Sequence, residues 1–203
     1  AFQNAGQVCI AIKRAYVHES IYDAVCDELA ALANAAVVGD GLQQGVTMGP
    51  LQNKTQFEKV LGLIEDAKAH GKVIAGGARI GEKGYFIRPT IVRDIDDGSR
   101  LVDEEQFGPV LPLLKFDNIE EAISRANASE YGLGGSVWGA DTDRALAIAE
   151  RVASGTVWVN DHIPIVSEMP HGGFKNSGYG KDMSVYALED YSCARHIMVK
   201  HNA

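Results

Sequence analysis

One stretch in the second half of the chain constrains the fold most, because apolar and amphipathic segments alternate there at regular spacing. Three apolar segments, 110–116, 133–138 and 156–160, fit strands. Two helical patterns lie between them and begin after the capping residues Asn118 and Asp141. Strands that alternate with helices in this way form βαβ units, so the sequence predicts a parallel sheet with right-handed crossovers.

Two further helices are predicted before this stretch. The first covers residues 20–38, with Ser20 as its cap, and the second covers residues 53–70, with Gly71 as its stop. Helical spacing places four apolar residues on the inner face of the first helix. These are Ile21, Val25, Leu29 and Leu32.

Two short strands are predicted between the second helix and residue 110. Residues 72–75 read as one strand, and residues 85–92 as another that is interrupted at Pro89. A proline cannot donate to a strand ladder, so the second strand is expected to be an edge or a bent segment.

The last forty residues follow a different pattern. A loop over residues 161–170 leads into a glycine-rich turn over residues 171–180, and a short helix is predicted near residues 183–188. The tail alternates enough to predict a strand, which we assign to residues 191–203 as an oligomerisation segment.

Composition excludes several classes of protein. The net charge is -8, with 19 Lys and Arg against 27 Asp and Glu and no basic run, which argues against a nucleic-acid binder. No apolar stretch approaches the roughly 20 residues that span a bilayer, and the chain does not open with a signal peptide. Three widely spaced cysteines argue against a disulfide framework and for a reducing, cytoplasmic location.

The segment FQNAGQVCI at residues 2–10 is the strongest candidate for chemistry. Cysteine thiolates are good nucleophiles, and nearby backbone N–H groups would stabilise both a thiolate at Cys9 and an oxyanion on an attacked carbonyl. Small residues such as Ala5 and Gly6 let the backbone approach closely. A lone cysteine is more often a small buried hydrophobe, which is our interpretation of Cys26 and Cys193.

The longer stretch FQNAGQVCIAIKRAYV, which includes this segment, resembles the cysteine signature of the aldehyde dehydrogenase superfamily. Three later segments resemble that family's GPL, EEIFGPV and PFGGxKxSGxGRE segments in the same order: MGPLQNKTQ, EEQFGPVLPLLKF and PHGGFKNSGYGKD. The resemblance covers essentially the whole chain. It implies an α/β catalytic domain with an open twisted, mainly parallel sheet and flanking helices. The matching signature residues are Phe2, Asn4, Gly6, Gln7, Cys9 and Arg14.

The resemblance implies a reaction and assigns residues to it. Cys9 would attack an aldehyde to give a thiohemiacetal, a hydride would pass to NAD or NADP, and water would hydrolyse the resulting thioester. Glu105 would accept hydrogen bonds from the nicotinamide ribose, and Phe107 would pack near the nicotinamide. Without the resemblance, these two would be interpreted as a surface glutamate and a core phenylalanine.

The substrate pocket implied by the resemblance contains Val8, Ile10, Ile165 and His171. His171 replaces a phenylalanine of the common family pattern, and an imidazole forms hydrogen bonds that a phenyl ring cannot. The surrounding segment is similar to the aminobutyraldehyde dehydrogenase branch. The alternative is that His171 fills the space of a phenyl ring without contacting the substrate.

Other residues near the glycine-rich turn have weaker assignments. Asp182 stands where many family members have a glutamate and is a candidate relay group. Some members hold potassium with backbone carbonyls, which would here be those of Lys175 and Gly178. No zinc site is expected, because the spacing of Cys193 and the histidines of the tail matches no common zinc pattern.

Several parts of the family's machinery precede its cysteine signature. These are a glutamate base in a segment resembling LELGGK, an oxyanion-hole asparagine and the dinucleotide-binding domain, and no matching segment occurs here. We therefore expect residues 1–203 to be a catalytic-domain fragment that lacks the N-terminal cofactor-binding domain and is inactive alone. The full-length protein is expected to be a homo-oligomer.

Two other functions remain open. The fold could serve as a non-enzymatic oligomerisation module, although intact Cys9, Glu105 and Phe107 count against it. The chain could also be a stand-alone thiol esterase that uses Cys9. That function requires a base in this chain, and the sequence places none of its six histidines near Cys9.

Overall fold

The computed structural model describes residues 1–202, which divide into two compact units, residues 1–129 and residues from 130 onward. The first unit contains a four-stranded sheet in the order β1-β4-β3-β2. Three of its strands are parallel and β2 is antiparallel to β3, which confirms the predicted mainly parallel α/β class. The strands are β1 (Ala15–His18), β2 (Lys72–Ala75), β3 (Thr90–Arg93) and β4 (Val110–Phe116).

Helices cover both faces of this sheet. Alternate residues of β4 point to opposite faces, with Leu111 and Leu113 packed against α1 and with Val110 and Leu114 packed against α2 and α3. Burial on both faces explains why β4 is an almost continuous apolar run. The helices of this unit are α1 (Tyr22–Ala35), α2 (Lys54–His70), α3 (Arg100–Asp103) and α4 (Ile119–Asn127).

Side-chain caps fix the starts of two helices where the sequence predicted them. The Asn53 side chain accepts a hydrogen bond from the Gln56 N–H at the start of α2, and the Asn118 side chain accepts bonds from the Glu120 and Glu121 N–H groups in α4. These bonds satisfy N–H groups that have no partner within a helix.

The start and the inner face of α1 differ from the prediction. Ser20 lies in a 3-10 turn, and the helix begins at Tyr22. Leu32 is 60% exposed, whereas Tyr22 and Cys26 are buried. The predicted inner face of α1 is therefore rotated about the helix axis relative to the observed one. The prediction did not count Tyr22 among the inner residues. Buried Cys26 confirms its interpretation as a small core residue, whereas the same interpretation is wrong for Cys193, which lies exposed in the tail.

The strand predicted over residues 85–92 is shorter and more central than expected. Strand β3 begins at Thr90, directly after Pro89, and lies between β4 and β2. The proline therefore ends the loop instead of interrupting the ladder, and the edge-strand prediction is wrong.

The second unit contains a parallel pair of strands, β6 (Gly134–Val137) and β7 (Thr156–Val159), with α5 (Thr142–Ala149) packed on both. The strands β5 (Tyr131–Gly132) and β8 (Phe174–Lys175) form a separate antiparallel pair, and α6 covers Tyr186–Asp190. The second predicted βαβ unit is therefore confirmed. Strand β4 pairs with β1 and β3, so it does not share a sheet with β6 and β7 as the sequence suggested.

The predicted terminal strand is not formed within this chain. Residues 192–202 are exposed and contain no helix or strand, and residue 203 lies outside the described residues. A strand needs a hydrogen-bonded neighbour, so the oligomerisation role of the tail stays a prediction. Within residues 1–202, no helix combines the length and apolar character that crossing a bilayer requires.

The buried Tyr22 connects α1 to the sheet. Its hydroxyl donates to the Leu113 carbonyl at 2.9 Å and accepts from the Asp94 N–H at 2.8 Å. Burial is the main reason that the pKa of this phenol rises to about 12, so the hydroxyl keeps its proton at neutral pH. One side chain thus satisfies two buried backbone groups.

We expect Tyr22→Phe to lower the free energy of unfolding by about 1–3 kcal/mol, because it leaves both backbone partners without the hydroxyl. Urea denaturation followed by far-UV circular dichroism measures this change. Tyr191→Phe is the control, since Tyr191 is 83% exposed. An equal effect of the two substitutions would contradict the role of the Tyr22 hydroxyl.

Candidate active site

A backbone reversal places Cys9 at the surface of the first unit. Asn4, Ala5 and Gly6 are consecutive residues with positive φ, at 50°, 55° and 72°. Cys9 follows in a turn that is closed by a hydrogen bond from the Ala11 N–H to the Val8 carbonyl at 2.9 Å. Cys9 is exposed while Ala5 and Ile10 on either side are buried, so the turn presents the thiol to solvent.

Two amide side chains of the signature hold this reversal. The Asn4 side chain donates to the Gln7 carbonyl at 3.1 Å, and the Gln7 side chain donates to the Asn4 carbonyl at 3.2 Å. The Gln7 Oε1 also accepts from the Gln52 N–H at 3.0 Å. These bonds offset the cost of placing Asn4 and Ala5 in a left-handed conformation.

Gly6 allows the cysteine turn to touch a second backbone segment. A Cβ at this position would overlap the carbonyl group of Gly108. Gly108 in turn packs so closely on Val60 that it has no room for a side chain either. The two glycines therefore set the distance between the turn that carries Cys9 and the segment that carries Glu105 and Phe107.

These segments together line one recess of the first unit. Cys9, Glu105 and Phe107, which the resemblance assigned to catalysis and cofactor binding, all face it. Val8, assigned to the substrate pocket, lines it as well, whereas Ile10 is buried. The recess has a volume of about 20 Å³, which leaves room for about one water molecule.

Side chains from α2 hold the segment with Glu105 and Phe107 in place. The Gln56 Nε2 donates to the carbonyls of Gln106 at 2.7 Å and Phe107 at 2.9 Å. The Lys59 Nζ donates to the Glu105 carbonyl at 2.7 Å. These contacts compensate for the positive φ of 45° at Phe107. The sequence analysis did not identify Gln56 and Lys59 as residues that hold this segment. The available signal was that both are polar and lie next to the buried face of α2.

Lys13 also lines the recess and is half-buried. Burial is the main reason that its pKa falls to about 8, and the neighbouring Arg14 lowers the pKa further. The carboxylates of Glu105 and Asp103 act in the opposite direction. Its ammonium donates to backbone carbonyls of residues 101 and 104.

Arg14 of the signature has a structural position. Its guanidinium lies 3.9 Å from the Asp97 carboxylate and stacks over the Tyr16 ring, which Arg125 also contacts. It donates to the Val102 carbonyl at 3.4 Å as well. The arginine thus ties the strand after Cys9 to α3.

The second unit holds His171 by its backbone and its ring. The His171 N–H donates to the Asp182 carbonyl at 2.8 Å, and the Asp182 N–H donates to the His171 carbonyl at 2.7 Å. The ring Nδ1 lies 3.5 Å from the Thr156 hydroxyl. This pairing fixes where the imidazole stands, while substrate contact by His171 and a relay role for Asp182 stay predictions.

The loop that contains Ile165 is tethered to β7. The Trp158 indole donates to the Pro164 carbonyl at 2.8 Å and packs edge-on against the His162 ring. Ile165 is 41% exposed directly after this tether. Its assignment to the substrate pocket also stays a prediction.

The glycine-rich turn contains residues with left-handed backbone conformations. Lys175 has a φ of 54° and Gly178 a φ of 111°, and the Gly178 N–H donates to the Lys175 carbonyl at 3.2 Å. Potassium binding by these two carbonyls stays a prediction. Residues 1–202 contain no cluster of three or more His, Cys, Asp or Glu residues that suits a metal ion.

Gly6→Ala tests the close approach of the two segments. We expect it to lower the free energy of unfolding by about 3 kcal/mol, because the new Cβ overlaps the Gly108 carbonyl and φ is positive. Gly45→Ala is a matched control, since Gly45 also has a positive φ but has open space around it, and it should cost about 1 kcal/mol. Urea denaturation by circular dichroism compares them, and equal losses would refute the packing argument.

Comparison with known proteins identifies the family. The model of the aldehyde dehydrogenase family matches residues 1–197. Aldehyde dehydrogenase 1A1 from Bos taurus is 40% identical over 200 residues, which is 98% of this chain and 40% of that protein. The mitochondrial aldehyde dehydrogenase of Leishmania tarentolae is 44% identical over 190 residues, 93% of this chain and 38% of that protein.

A solved structure extends the likeness to the fold. The NAD+ complex of aldehyde dehydrogenase from Bacillus cereus has a TM-score of 0.90 at 43% identity, and the match covers 94% of this chain and 39% of that one. The chain spans about 40% of the length of the curated relatives it matches. Given the family match over nearly all its residues, the chain belongs to the aldehyde dehydrogenase family.

Proposed function

We propose that this chain supplies the thiol-bearing part of an NAD(P)-dependent aldehyde dehydrogenase, which oxidises an aldehyde to a carboxylate. One observation carries the proposal. Cys9 shares a recess with Glu105 and Phe107, which lie far away in the sequence. A nucleophile beside residues suited to a nicotinamide nucleotide is the arrangement that aldehyde oxidation through a thioester requires.

In the proposed reaction, the Cys9 sulfur forms a bond to the aldehyde carbon, the π bond of the carbonyl breaks, and the proton lost by the thiol is taken up by the oxygen, which becomes a hydroxyl. NAD or NADP, when bound, supplies the hydride acceptor. When the former aldehyde carbon loses its hydrogen as a hydride and the hydroxyl loses its proton, the thiohemiacetal becomes a thioester. Attack by water on the thioester then releases the carboxylate and restores the thiol.

The residues beside Cys9 suit the nicotinamide end of such a cofactor. Glu105 is exposed, and its carboxylate can accept hydrogen bonds from two ribose hydroxyls at once. Phe107 is half-buried at the recess, where its ring offers an apolar face to a planar group. Both features support cofactor binding next to the thiol.

We propose further that other necessary groups lie outside residues 1–203. Besides Cys9, the titratable residues lining the recess are Lys13 and Glu105. The general base, the oxyanion-hole asparagine and the dinucleotide-binding domain of the family would have to come from the part of the enzyme that this chain does not contain. We therefore expect the chain alone to be inactive.

Cys9→Ser should abolish aldehyde-dependent NAD(P)H formation in the extended enzyme, which we define as these 203 residues following an aldehyde dehydrogenase dinucleotide-binding domain. A serine hydroxyl is a far weaker nucleophile at neutral pH, so we expect a loss of at least about a thousandfold. Absorbance of NAD(P)H measures the rate. Cys193→Ser is the matched control, because Cys193 is also exposed, and it should leave the rate unchanged.

The same assay on the 203-residue chain separates the alternatives. NAD(P)H formation by the chain alone would overturn the proposed need for outside groups. Hydrolysis of an activated ester by the chain alone, if lost in Cys9→Ser, would favour the thiol esterase. An extended enzyme that is inert toward every aldehyde would favour the oligomerisation module.

We also propose that His171 selects aldehydes that carry a polar group, such as amino-aldehydes. Support comes from its fixed backbone position and from the orientation of its ring next to the Thr156 hydroxyl. An imidazole so held can exchange a hydrogen bond with a substrate amine or with a bridging water. A phenylalanine at this position has no such capacity.

His171→Phe should therefore change the ranking of substrates in the extended enzyme. We expect kcat/KM for 4-aminobutanal to fall about tenfold relative to that for butanal, the loss of one hydrogen bond. Steady-state kinetics with both aldehydes measures the ratio. His196→Phe in the exposed tail is the control, and an unchanged ratio in His171→Phe would mean that the imidazole only fills space.

A further inference from the structure

Four consecutive carbonyl groups of the segment that carries Glu105 and Phe107 accept hydrogen bonds from side chains. Gln56 and Lys59 of α2 bind the last three of these carbonyls, as described above. Lys13 binds the first, that of Glu104, and also reaches the Leu101 carbonyl at 3.4 Å. Lys13 differs from the other two donors because it lies on the cysteine segment, four residues after Cys9.

Lys13 and Gln106 form a reciprocal pair between the two segments. The Lys13 Nζ lies 3.4 Å from the Gln106 Oε1, and the Gln106 Nε2 donates to the Lys13 carbonyl at 2.8 Å. The Gln106 amide also donates to the Val110 carbonyl at 2.7 Å, at the start of β4. Gln106 is only 3% exposed, so a buried amide with all these partners is a strong geometric constraint.

The ammonium of Lys13 connects the two segments that form the recess, the one with Cys9 and the one with Glu105 and Phe107. Gly6 brings the backbones together by close packing, and Lys13 fixes their register by hydrogen bonds. An ammonium has three donors, and bonds from a charged donor are stronger than neutral ones. Half-burying the Lys13 ammonium costs free energy, and its hydrogen bonds to the 104–107 segment offset that cost. Lys13 therefore has a structural role that a fully solvated surface lysine would not have.

We propose that Lys13 is a positioning residue, which holds the 104–107 segment so that Glu105 and Phe107 face the recess beside Cys9. It acts through that segment and not on the reacting atoms. The proposal rests on the proposed function for its consequence in catalysis. Its structural part, the restraint of residues 104–107, stands independently of any activity.

Cleavage by a glutamate-specific protease tests the structural part on the 203-residue chain, because Glu104 and Glu105 lie in the restrained segment. We expect Lys13→Met to raise the cleavage rate after these residues about tenfold, since the segment opens more often. Lys13→Arg keeps the charge and several donors and should restore most of the protection. Lys54→Met is the control, because Lys54 is exposed and its ammonium lies 3.6 Å from the Glu58 carboxylate on the exposed side of α2.

Mass spectrometry of the fragments gives the rate at each site. Cleavage after Glu28 in α1 reports on general unfolding in the same samples. A rise confined to Glu104 and Glu105 supports the proposal. An unchanged rate there, or an equal rise at Glu28, overturns it, because Lys13 would then be dispensable or would only add to overall stability.

Kinetics of the extended enzyme test the catalytic consequence. We expect Lys13→Met to raise the KM for NAD about tenfold with a smaller change in kcat, and Lys13→Arg to restore KM. A fall in kcat with KM unchanged would overturn the positioning role. An extended enzyme without any turnover would refute the proposed function, while the protease result would still decide whether Lys13 restrains the segment.

Discussion

The close approach of Gly6 to Gly108 is the contact on which the candidate site depends. It brings the turn that presents Cys9 against the segment that carries Glu105 and Phe107, and neither glycine has room for a Cβ. Packing of this kind is rigid because carbonyl and Cα atoms have no rotamers to adjust. Three consecutive residues with positive φ aim the cysteine turn at this contact, so local strain and close packing serve the same purpose.

Polar side chains then fix what the glycines bring together. Asn4 and Gln7 close the cysteine turn on itself, while Gln56, Lys59 and Lys13 hold the carbonyls of the opposing segment. None of these bonds is large alone, but each restrains a backbone that has no helix or strand to support it. A reactive thiol beside a cofactor-binding carboxylate needs such a frame, because small displacements of the reacting groups reduce rates strongly.

Much of the fold was predictable from local patterns. The caps Asn118 and Asp141, the stop at Gly71 and the apolar run of β4 act over a few residues, so their effects are visible in the sequence. Predictions failed where contacts with residues distant in the sequence decide the structure. The exposure of Leu32 depends on which face of α1 meets the sheet, and the central place of β3 depends on pairing with β4.

The sequence by itself determined the family, the position of the reactive thiol and the order of most helices and strands, because short motifs and periodicity carry that information. The resemblance implied that Cys9, Glu105 and Phe107 act around one cofactor, but only the tertiary structure placed them in one recess and decided that Lys13 and Gln106 join its two sides. The Lys13–Gln106 hydrogen bonds link residues about ninety positions apart in the sequence. The pairing of strands brings such residues together in space. No pattern along the chain encodes them, because they depend on how β1 and β4 align in the sheet.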